Sequence, residues 1–335
     1  TSRGLGDVYK RQALKYNANF FKHFAPKICA VVKADAYGHG AQDVAKILCD
    51  EVDYFAVSSQ QEAEEILSVA PQSKIIILSK ETDYNLLDKF YLTATNISDI
   101  KKAIESGKTQ RCFIKLSAGM NRYGIDCQND NLLKKVKNLI KNYDFAGFSM
   151  HFSSISNKKQ SLKEYNIFIS ARAKLEKSFP ICLGGGGAKN FPCDILRVGI
   201  GLYGYGDDML KKVMTLEGKV LQIRTLEKGE RAGYDGSFKA SKPTTLAIVS
   251  VGYADGFERV GSKNLEVKID SKKFKIVGRT CMDACFVDVT GGDVKVGQSV
   301  TVMDDANVLS KKYKKSTYEI LTSFTKFRGE RKITP

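Results

Sequence analysis

The chain has 335 residues, of which 43% are hydrophobic, and its 53 Lys and Arg against 37 Asp and Glu give a net charge of +16. This composition supports buried cores, and the length suits one large domain or two ordinary ones. No apolar run reaches the length of a membrane span and no signal-peptide pattern opens the chain, so we expect no membrane partner and a cytoplasmic protein.

The lysines are spread over helix-compatible segments, with no arginine-rich block or helix-turn-helix pattern, so we expect a solvated basic surface and no nucleic-acid partner. An anionic substrate or cofactor would also benefit from the positive field. The eight cysteines form no C-x-x-C pair, which argues against a zinc ribbon or disulfide framework and favours the reducing cytosol. With only three histidines, no metal site is expected.

Short β-branched and aromatic runs alternate with polar segments whose apolar residues lie three and four positions apart, which is typical of alternating strands and helices. Eight runs are found: 28–34, 54–59, 74–79, 91–98, 111–117, 145–152, 180–186 and 195–201. They predict an α/β domain over residues 13–210, a parallel sheet closed as a TIM-like (β/α)8 barrel. The last runs are closely spaced, so the count could differ by one.

After residue 210 alternating runs are broken by Gly and Asp turns, which predicts a C-terminal all-β domain over residues 211–335. A final helix is expected around YEILTSFTKF. The opening TSRGLGDVYKRQ has no clear period, and residues 1–12 stay unassigned, with no strand expected there.

The first run ends on Lys33, in AVVKADAYGHG (30–40). A buried ammonium is costly unless it is paired or neutralised. Lys33 therefore either reaches solvent or lies where its chemistry is used. Active sites of such barrels lie at the carboxyl ends of the strands, and Lys33 is expected at one of them.

This segment resembles the cofactor-lysine motif of alanine racemases, the pyridoxal-phosphate enzymes (fold type III) that interconvert L- and D-alanine. Six further motifs follow in the family's order: AGMNRYG (118–124), MHFSS (150–154), LRVGIGLYGY (196–205), VGYADG (251–256), GRTCMD (278–283) and YEILT (318–322). The resemblance covers residues 13–330. It implies a cytoplasmic homodimer with shared active sites that makes D-alanine for cell-wall peptidoglycan.

By this resemblance, Lys33 holds pyridoxal phosphate as an imine and, once freed by the substrate, acts as a base on the α-proton. Racemisation needs acid–base groups on both faces of a planar carbanion, so two bases are expected. The resemblance implies that the second is Tyr253, supplied by the other subunit. A tyrosine, with an ordinary pKa of about 10, needs neighbouring cationic groups to act as a base.

Arg197 corresponds to the family arginine that donates a hydrogen bond to the pyridine nitrogen. Because a guanidinium stays protonated, it disfavours a proton on that nitrogen, which weakens the ring as an electron sink and suppresses transamination. The resemblance places Arg122 near the substrate carboxylate, to which Met282 would present its backbone N–H. Lys115 occupies the position of a lysine that is carbamylated in many relatives.

The resemblance also implies a phosphate site made of two tyrosines and two backbone amides: Tyr37, Tyr318, Gly199 and Ile200. Glycine loops that open onto a helix suit phosphate because the backbone can approach it closely. Gly186 is a further candidate contact, although glycines 184–187 replace the family's usual Asn-Ser and offer no hydroxyl. His151 either supports the cofactor site or is a satisfied barrel histidine.

Three alternatives stay open. Ser149 stands where many relatives have tyrosine, and it keeps a racemase of another small amino acid, such as serine, open. A pyridoxal-phosphate decarboxylase of basic amino acids shares this two-domain plan, but it would need an acidic residue for the distal amine and would not need VGYADG. A non-catalytic pyridoxal-phosphate carrier protein would resemble the barrel alone.

Overall fold

The computed structural model describes residues 6–79, 83–154, 156–259, 265–326 and 330–334. The chain divides into two compact units. We call Leu14–Ala36 with Ala41–Lys211 the barrel unit. The β unit comprises Thr1–Ala13, Tyr37–Gly40 and Lys212–Pro335. The domain boundary expected between residues 210 and 211 stays a prediction.

The first strand, β1 (Gly6–Lys10), lies where no strand was expected. It pairs antiparallel with Met214–Leu226 and parallel with Glu330–Thr334. The expectation of no strand was wrong because both partners lie in the last third of the chain, and the short GDVYK sequence has little alternation of its own.

Eight parallel strands form the barrel; seven lie within the expected runs, and β2 begins one residue before its run. They are β2 (Lys27–Val31), β3 (Tyr54–Val57), β4 (Ile75–Ile77), β5 (Leu92–Ala94), β6 (Cys112–Ser117), β8 (Gly147–His151), β9 (Ile181–Gly184) and β10 (Ile195–Val198). A short β7 (Ile125–Asp126) pairs with the end of β6. The order β4-β3-β2-β10-β9-β8-β6-β5 is closed by hydrogen bonds between Tyr91 and β4. The barrel prediction is confirmed.

Almost all side chains of these strands are buried, as in parallel sheets that are covered on both faces. The covering helices are Arg11–Phe21, Ala41–Leu48, Gln60–Leu67, Ile97–Glu105, Asp130–Ile140 and Lys158–Leu175. Four of them begin at a Ser or Asn whose side chain accepts the N–H three residues on: Ser59, Asn96, Asn129 and Asn157. These caps satisfy N–H groups that have no intrahelical acceptor.

The β unit contains a sheet in the order β14-β17-β16-β15-β18-β11-β1-β19, with β11 also paired to β14. Its later strands are β11 (Met214–Leu226), β14 (Thr244–Val249), β15 (Glu266–Ile269), β16 (Lys272–Val277), β17 (Cys285–Asp288), β18 (Ser299–Met303) and β19 (Glu330–Thr334). A separate hairpin joins β12 (Arg231–Ala232) to β13 (Phe238–Lys239). Apart from β1–β19, the strand pairs of this unit are antiparallel.

Two helices, Ala306–Tyr313 and Thr317–Ser323, follow β18. The second contains the YEILT segment, where the final helix was expected, but β19 comes after it. The expectation that this helix is the last element was therefore wrong. Within the described ranges, no helix is long and apolar enough to cross a bilayer.

Candidate active site

Five charged or titratable side chains lie on, or just beyond, the barrel strands. Lys115 lies on β6, Arg197 on β10, and His151 ends β8. Lys33 follows β2 by two residues, and Arg122 lies in the loop after β6. The carboxyl ends of parallel barrel strands meet at one edge. The pKa values of Lys33, Lys115 and His151 are each lowered by positive charges of this group, so the side chains lie close together.

The Arg197 side chain is buried and held by acceptors that carry no charge. Its Nη1 donates to the carbonyl oxygen and to the Sγ of Cys182, both at 3.1 Å. Its Nη2 donates to the Met150 carbonyl at 2.8 Å. Gly184 makes room for it, because a Cβ there would lie 2.8 Å from Nη2. Among the described residues, no carboxylate forms an ion pair with this buried guanidinium.

Lys33 begins a left-handed helical turn, Lys33–Tyr37. Its remaining residues all have positive φ: Ala34 (51°), Asp35 (51°), Ala36 (53°) and Tyr37 (55°). Such backbone costs roughly 1–2 kcal/mol per non-glycine residue and persists only where its surroundings hold it. Asp35 Oδ1 accepts the Ala41 N–H at 2.8 Å, and Glu62 Oε1 accepts the Ala34 N–H at 2.7 Å.

Burial and neighbouring cations favour the neutral form of two lysine amines. Burial lowers the pKa of Lys33, and Arg122 and Arg197 lower it further while Glu62 opposes them. Burial lowers the pKa of Lys115 to about 7, and Arg197, Arg122 and Lys33 act in the same direction. At neutral pH a large fraction of the Lys115 amine is therefore uncharged.

His151 is neutral at physiological pH. Burial lowers its pKa to about 3, and the positive charges of Arg197, Lys115, Arg122 and Lys33 contribute. In the described part of the chain, none of these four cations forms an ion pair with a carboxylate within 4.0 Å. The cluster has the charge of an anion-binding site.

Tyr123 contacts both Arg122, which the resemblance places near the substrate carboxylate, and Lys115, at the position that is carbamylated in many relatives. Its ring centroid lies 4.1 Å from Lys115 Nζ and 5.0 Å from Arg122 Cζ. Lys115 is buried, whereas Arg122 is exposed. The ring stabilises the two positive charges by cation–π attraction in place of a carboxylate.

The backbone candidates for phosphate binding also lie in the barrel unit. Gly199 and Ile200 begin the short helix Ile200–Tyr203, where the first N–H groups have no intrahelical acceptor. Gly186 lies exposed in the turn after β9. Gly185 before it has φ of 103°, a conformation that favours glycine.

In the β unit, the two tyrosines expected at the phosphate lie side by side. The ring centroids of Tyr37 and Tyr318 are 5.9 Å apart. Burial raises the pKa of both phenols, so each hydroxyl keeps its proton and can donate a hydrogen bond. The structure brings this predicted pair together.

Tyr253 and Met282 lie on two β-unit loops that are hydrogen-bonded to each other. The Tyr253 N–H donates to the Cys281 carbonyl at 3.0 Å, and the Ala254 N–H to the Met282 carbonyl at 3.1 Å. A Cβ on Gly252 would lie 2.1 Å from that Met282 oxygen, so only glycine fits there. The Met282 residue is 48% exposed.

Sequence reasoning missed two residues that contact this barrel cluster, Glu62 and Tyr123. The Ser59-x-x-Glu62 spacing directly after a strand is a readable signal for a helix start, although not for a bond to Ala34. Tyr123 lies inside the AGMNRYG motif. Among the described residues, no group of three or more His, Cys, Asp or Glu side chains could hold a metal ion.

Both units match models of one known family. The model described as "Alanine racemase, N-terminal domain" matches residues 10–207, and "Alanine racemase, C-terminal domain" matches residues 213–333. The chain belongs to the alanine racemase family. Membership confirms the resemblance read from the seven motifs and the prediction of a barrel followed by an all-β domain.

Alanine racemases of distant organisms are similar over nearly the whole chain. The catabolic alanine racemase of Schizosaccharomyces pombe is 31% identical, covering 97% of this chain and 98% of that protein. The alanine racemase of Thermodesulfovibrio yellowstonii is 33% identical, with 89% and 87% covered. The structure of Bartonella henselae alanine racemase with covalently bound pyridoxal phosphate is 27% identical, with a TM-score of 0.88 and 99% of each chain covered.

Proposed function

We propose that this chain is an alanine racemase that interconverts L- and D-alanine with pyridoxal phosphate. The observation that carries the proposal is the Lys33 amine, which follows the first barrel strand, has a lowered pKa, and lies among cations in a chain matching this family in both units. When bound, the cofactor would withdraw electrons from the substrate's α-carbon and so make its proton acidic.

The residues present fit this cofactor. It carries an anionic phosphate and a phenolate oxygen, and the guanidinium charges of Arg122 and Arg197, for which the described residues supply no carboxylate partner, suit anions. The lowered pKa of Lys33 increases its neutral, nucleophilic fraction, which covalent attachment requires. Once the substrate amine displaces it, the Lys33 amine can take up or return the α-proton on one face.

Arg197 would donate to the cofactor ring nitrogen from its buried position, and His151, neutral at physiological pH, would support the ring. Tyr37 and Tyr318 would donate their hydroxyls to the phosphate. By the family resemblance, the barrel-unit amides of Gly199, Ile200 and Gly186 would also donate to a phosphate.

Lys115 is the candidate for carbamylation. Its neutral amine can add to CO2, forming a nitrogen–carbon bond and releasing one proton, and a pKa of about 7 makes that form abundant at neutral pH. The resulting anion would offset the surrounding cations and orient Arg122 toward the substrate carboxylate.

Tyr253 would handle the proton on the opposite face, from the β unit of a second copy of the chain. This assignment rests on the family resemblance, and Met282 on the neighbouring loop is exposed, as a contact to a second copy requires. We therefore expect a homodimer in which each site combines Lys33 of one subunit with Tyr253 and Met282 of the other. Its cellular role would be to supply D-alanine for peptidoglycan in the cytoplasm.

Mixing two inactive variants tests the shared site. We expect Lys33→Ala and Tyr253→Phe each to be inactive as homodimers. After joint refolding, about half of the dimers are mixed, and each mixed dimer has one intact site, so about a quarter of wild-type activity should return. Sites built within one subunit would give no recovery.

Tyr253→Phe alone should slow the exchange of the α-proton of L-alanine more than that of D-alanine.

The activity itself is tested in heavy water with pyridoxal phosphate and L-alanine, following chirality and deuterium at the α-carbon together. Deuterated D-alanine is the expected product. Exchange with retained L configuration would mean that only one face works. The absence of exchange, with a cofactor absorption band present, would contradict the proposal and favour a carrier protein. A parallel run with L-serine tests the alternative that Ser149 keeps open.

A further inference from the structure

The Glu62 carboxylate joins two loops at the carboxyl ends of neighbouring barrel strands. Its Oε1 accepts the N–H of Ala34, the residue after Lys33 and three positions beyond the end of β2, at 2.7 Å. Its Oε2 accepts the N–H of Ser58, which follows β3, at 2.6 Å. Hydrogen bonds to a carboxylate are about twice as strong as neutral ones. One half-buried side chain therefore ties the residue after Lys33 to the next strand.

Glu62 stands at the position of a helix-capping glutamate, but its side chain does not cap its own helix. It is the third residue of helix Gln60–Leu67, and its N–H donates to the N-cap Ser59 Oγ at 3.2 Å. At this spacing a glutamate ordinarily reaches back to the N–H of the N-cap itself. Here both oxygens instead bond outside the helix, to Ser58 and Ala34. The carboxylate therefore accepts hydrogen bonds from the two loops and not from the N-terminus of its helix.

We propose that Glu62 is a positioning residue, which holds the first peptide of the left-handed turn and so fixes where the Lys33 amine stands. Four successive non-glycine residues with positive φ need outside support, and Glu62 supplies it at the turn's first residue, Ala34. Asp35, bonded to the Ala41 N–H, supplies it at the other end. The identity of the group that Lys33 binds rests on the proposed function. The two hydrogen bonds from Glu62 to Ala34 and Ser58, which we call the clamp, do not.

Glu62 also acts on Lys33 by its charge. Among the groups that shift the Lys33 pKa, Arg122 and Arg197 lower it and Glu62 alone raises it. Glu62→Gln keeps the size, removes the charge, and turns an NH2 group toward one of the two N–H donors. Glu65→Gln is the matched control, because it makes the same charge change on an exposed position of the same helix.

Two measurements on the whole chain need no cofactor. In Glu62→Gln, we expect hydrogen exchange in the peptide containing Ala34 to speed up by about tenfold or more, since its amide loses a charged acceptor. Competitive acetylation with acetic anhydride, read by mass spectrometry, should give a Lys33 titration midpoint lower by about half a pH unit or more. Glu65→Gln should match the wild type in both. Unchanged exchange and midpoint in a folded Glu62→Gln would overturn the inference.

Titration with pyridoxal phosphate separates this inference from the proposed function. Glu62→Gln should bind the cofactor about tenfold more weakly, with Glu65→Gln again unchanged. If Glu62→Gln shows the expected changes at Lys33 and Ala34 but the wild-type protein does not racemise alanine, the proposed function is refuted and the clamp stands. A racemase whose Glu62→Gln variant has wild-type exchange, midpoint and affinity would refute the clamp alone.

Discussion

The two units hold their candidate residues in different ways. In the barrel unit, Lys115 and Arg197 project from strands, and burial together with neighbouring positive charges lowers the pKa of Lys115. In the β unit, Tyr253 and Met282 lie on loops whose backbones bond to each other. The barrel unit therefore holds side chains whose charge depends on their buried surroundings. The β unit instead holds its candidate residues through main-chain hydrogen bonds.

This contrast predicts which substitutions separate cofactor capture from turnover. Damage to the barrel cluster should change what the protein binds and at which pH. Damage to the β-unit loops should leave capture intact and stop racemisation.

Removing the amine of Lys33 should have the largest effect. Lys33→Ala should abolish covalent capture of pyridoxal phosphate and all racemisation, because no other residue in the proposed scheme forms that bond. Visible absorption, followed by borohydride reduction and peptide mass mapping, checks the result. Lys134→Ala, an exposed helix lysine, is the control. A variant with the unchanged absorption band would take Lys33 out of its role.

Gly252→Ala should break the β-unit loops while sparing the barrel. A Cβ there would lie 2.1 Å from the Met282 carbonyl oxygen and 2.5 Å from the Asp283 nitrogen, both backbone atoms that cannot move aside cheaply. We expect racemisation to fall by about a hundredfold or more while the Lys33 absorption band is retained. Loss of the band together with activity would mean that the two units do not separate capture from turnover.

The sequence predicted strand-borne features better than turn-borne ones. All eight barrel strands were found because buried parallel strands have continuous apolar runs. Strand β1 was missed because its partners are remote in sequence. The left-handed turn could not be predicted, since neither Ala34 nor Ala36 has a preference for positive φ; tertiary bonds from Asp35 and Glu62 hold it.

For the site, the family motifs supplied Lys33, Arg197 and the Tyr37–Tyr318 pair, which the structure places at strand ends or in contact. Motifs carry residue identity and order, but not the partners that side chains find across the fold. Only the structure shows that Arg197 bonds to Cys182 and Met150 on other strands, and that Glu62 ties together the loops after β2 and β3.

The buried amine of Lys115 should give the protein a pH-dependent stability. Its pKa is about 7 when folded, against about 10.4 in an unfolded chain. Below pH 7 the amine is charged in both states and its burial destabilises the fold. Between these pKa values the unfolded state binds more protons, so stability rises with pH by up to about 1.4 kcal/mol per unit.

Lys115→Met should remove that contribution, measured by urea unfolding at several pH values in buffer free of CO2. The exposed Lys134→Met is the control, and equal slopes for wild type and Lys115→Met would contradict the expectation. Adding 13C-labelled bicarbonate should then produce a carbamate carbon signal in the wild type and in Lys134→Met, but not in Lys115→Met. A wild-type protein without this signal would refute carbamylation, although not the pH slope.

The smallest expected effect is at the glycine turn after β9, where the proposed contact to the phosphate is a backbone amide and not a side chain. Gly186 is exposed, so Gly186→Ser can add a hydroxyl to a turn whose glycines offer none to the proposed phosphate site. One further hydrogen bond, about 1 kcal/mol, should strengthen pyridoxal phosphate binding by about fivefold. Gly186→Ala is the matched control, because it adds a Cβ at the same exposed position without the hydroxyl. If Gly186→Ser and Gly186→Ala change the dissociation constant equally, the added hydroxyl does not reach the phosphate.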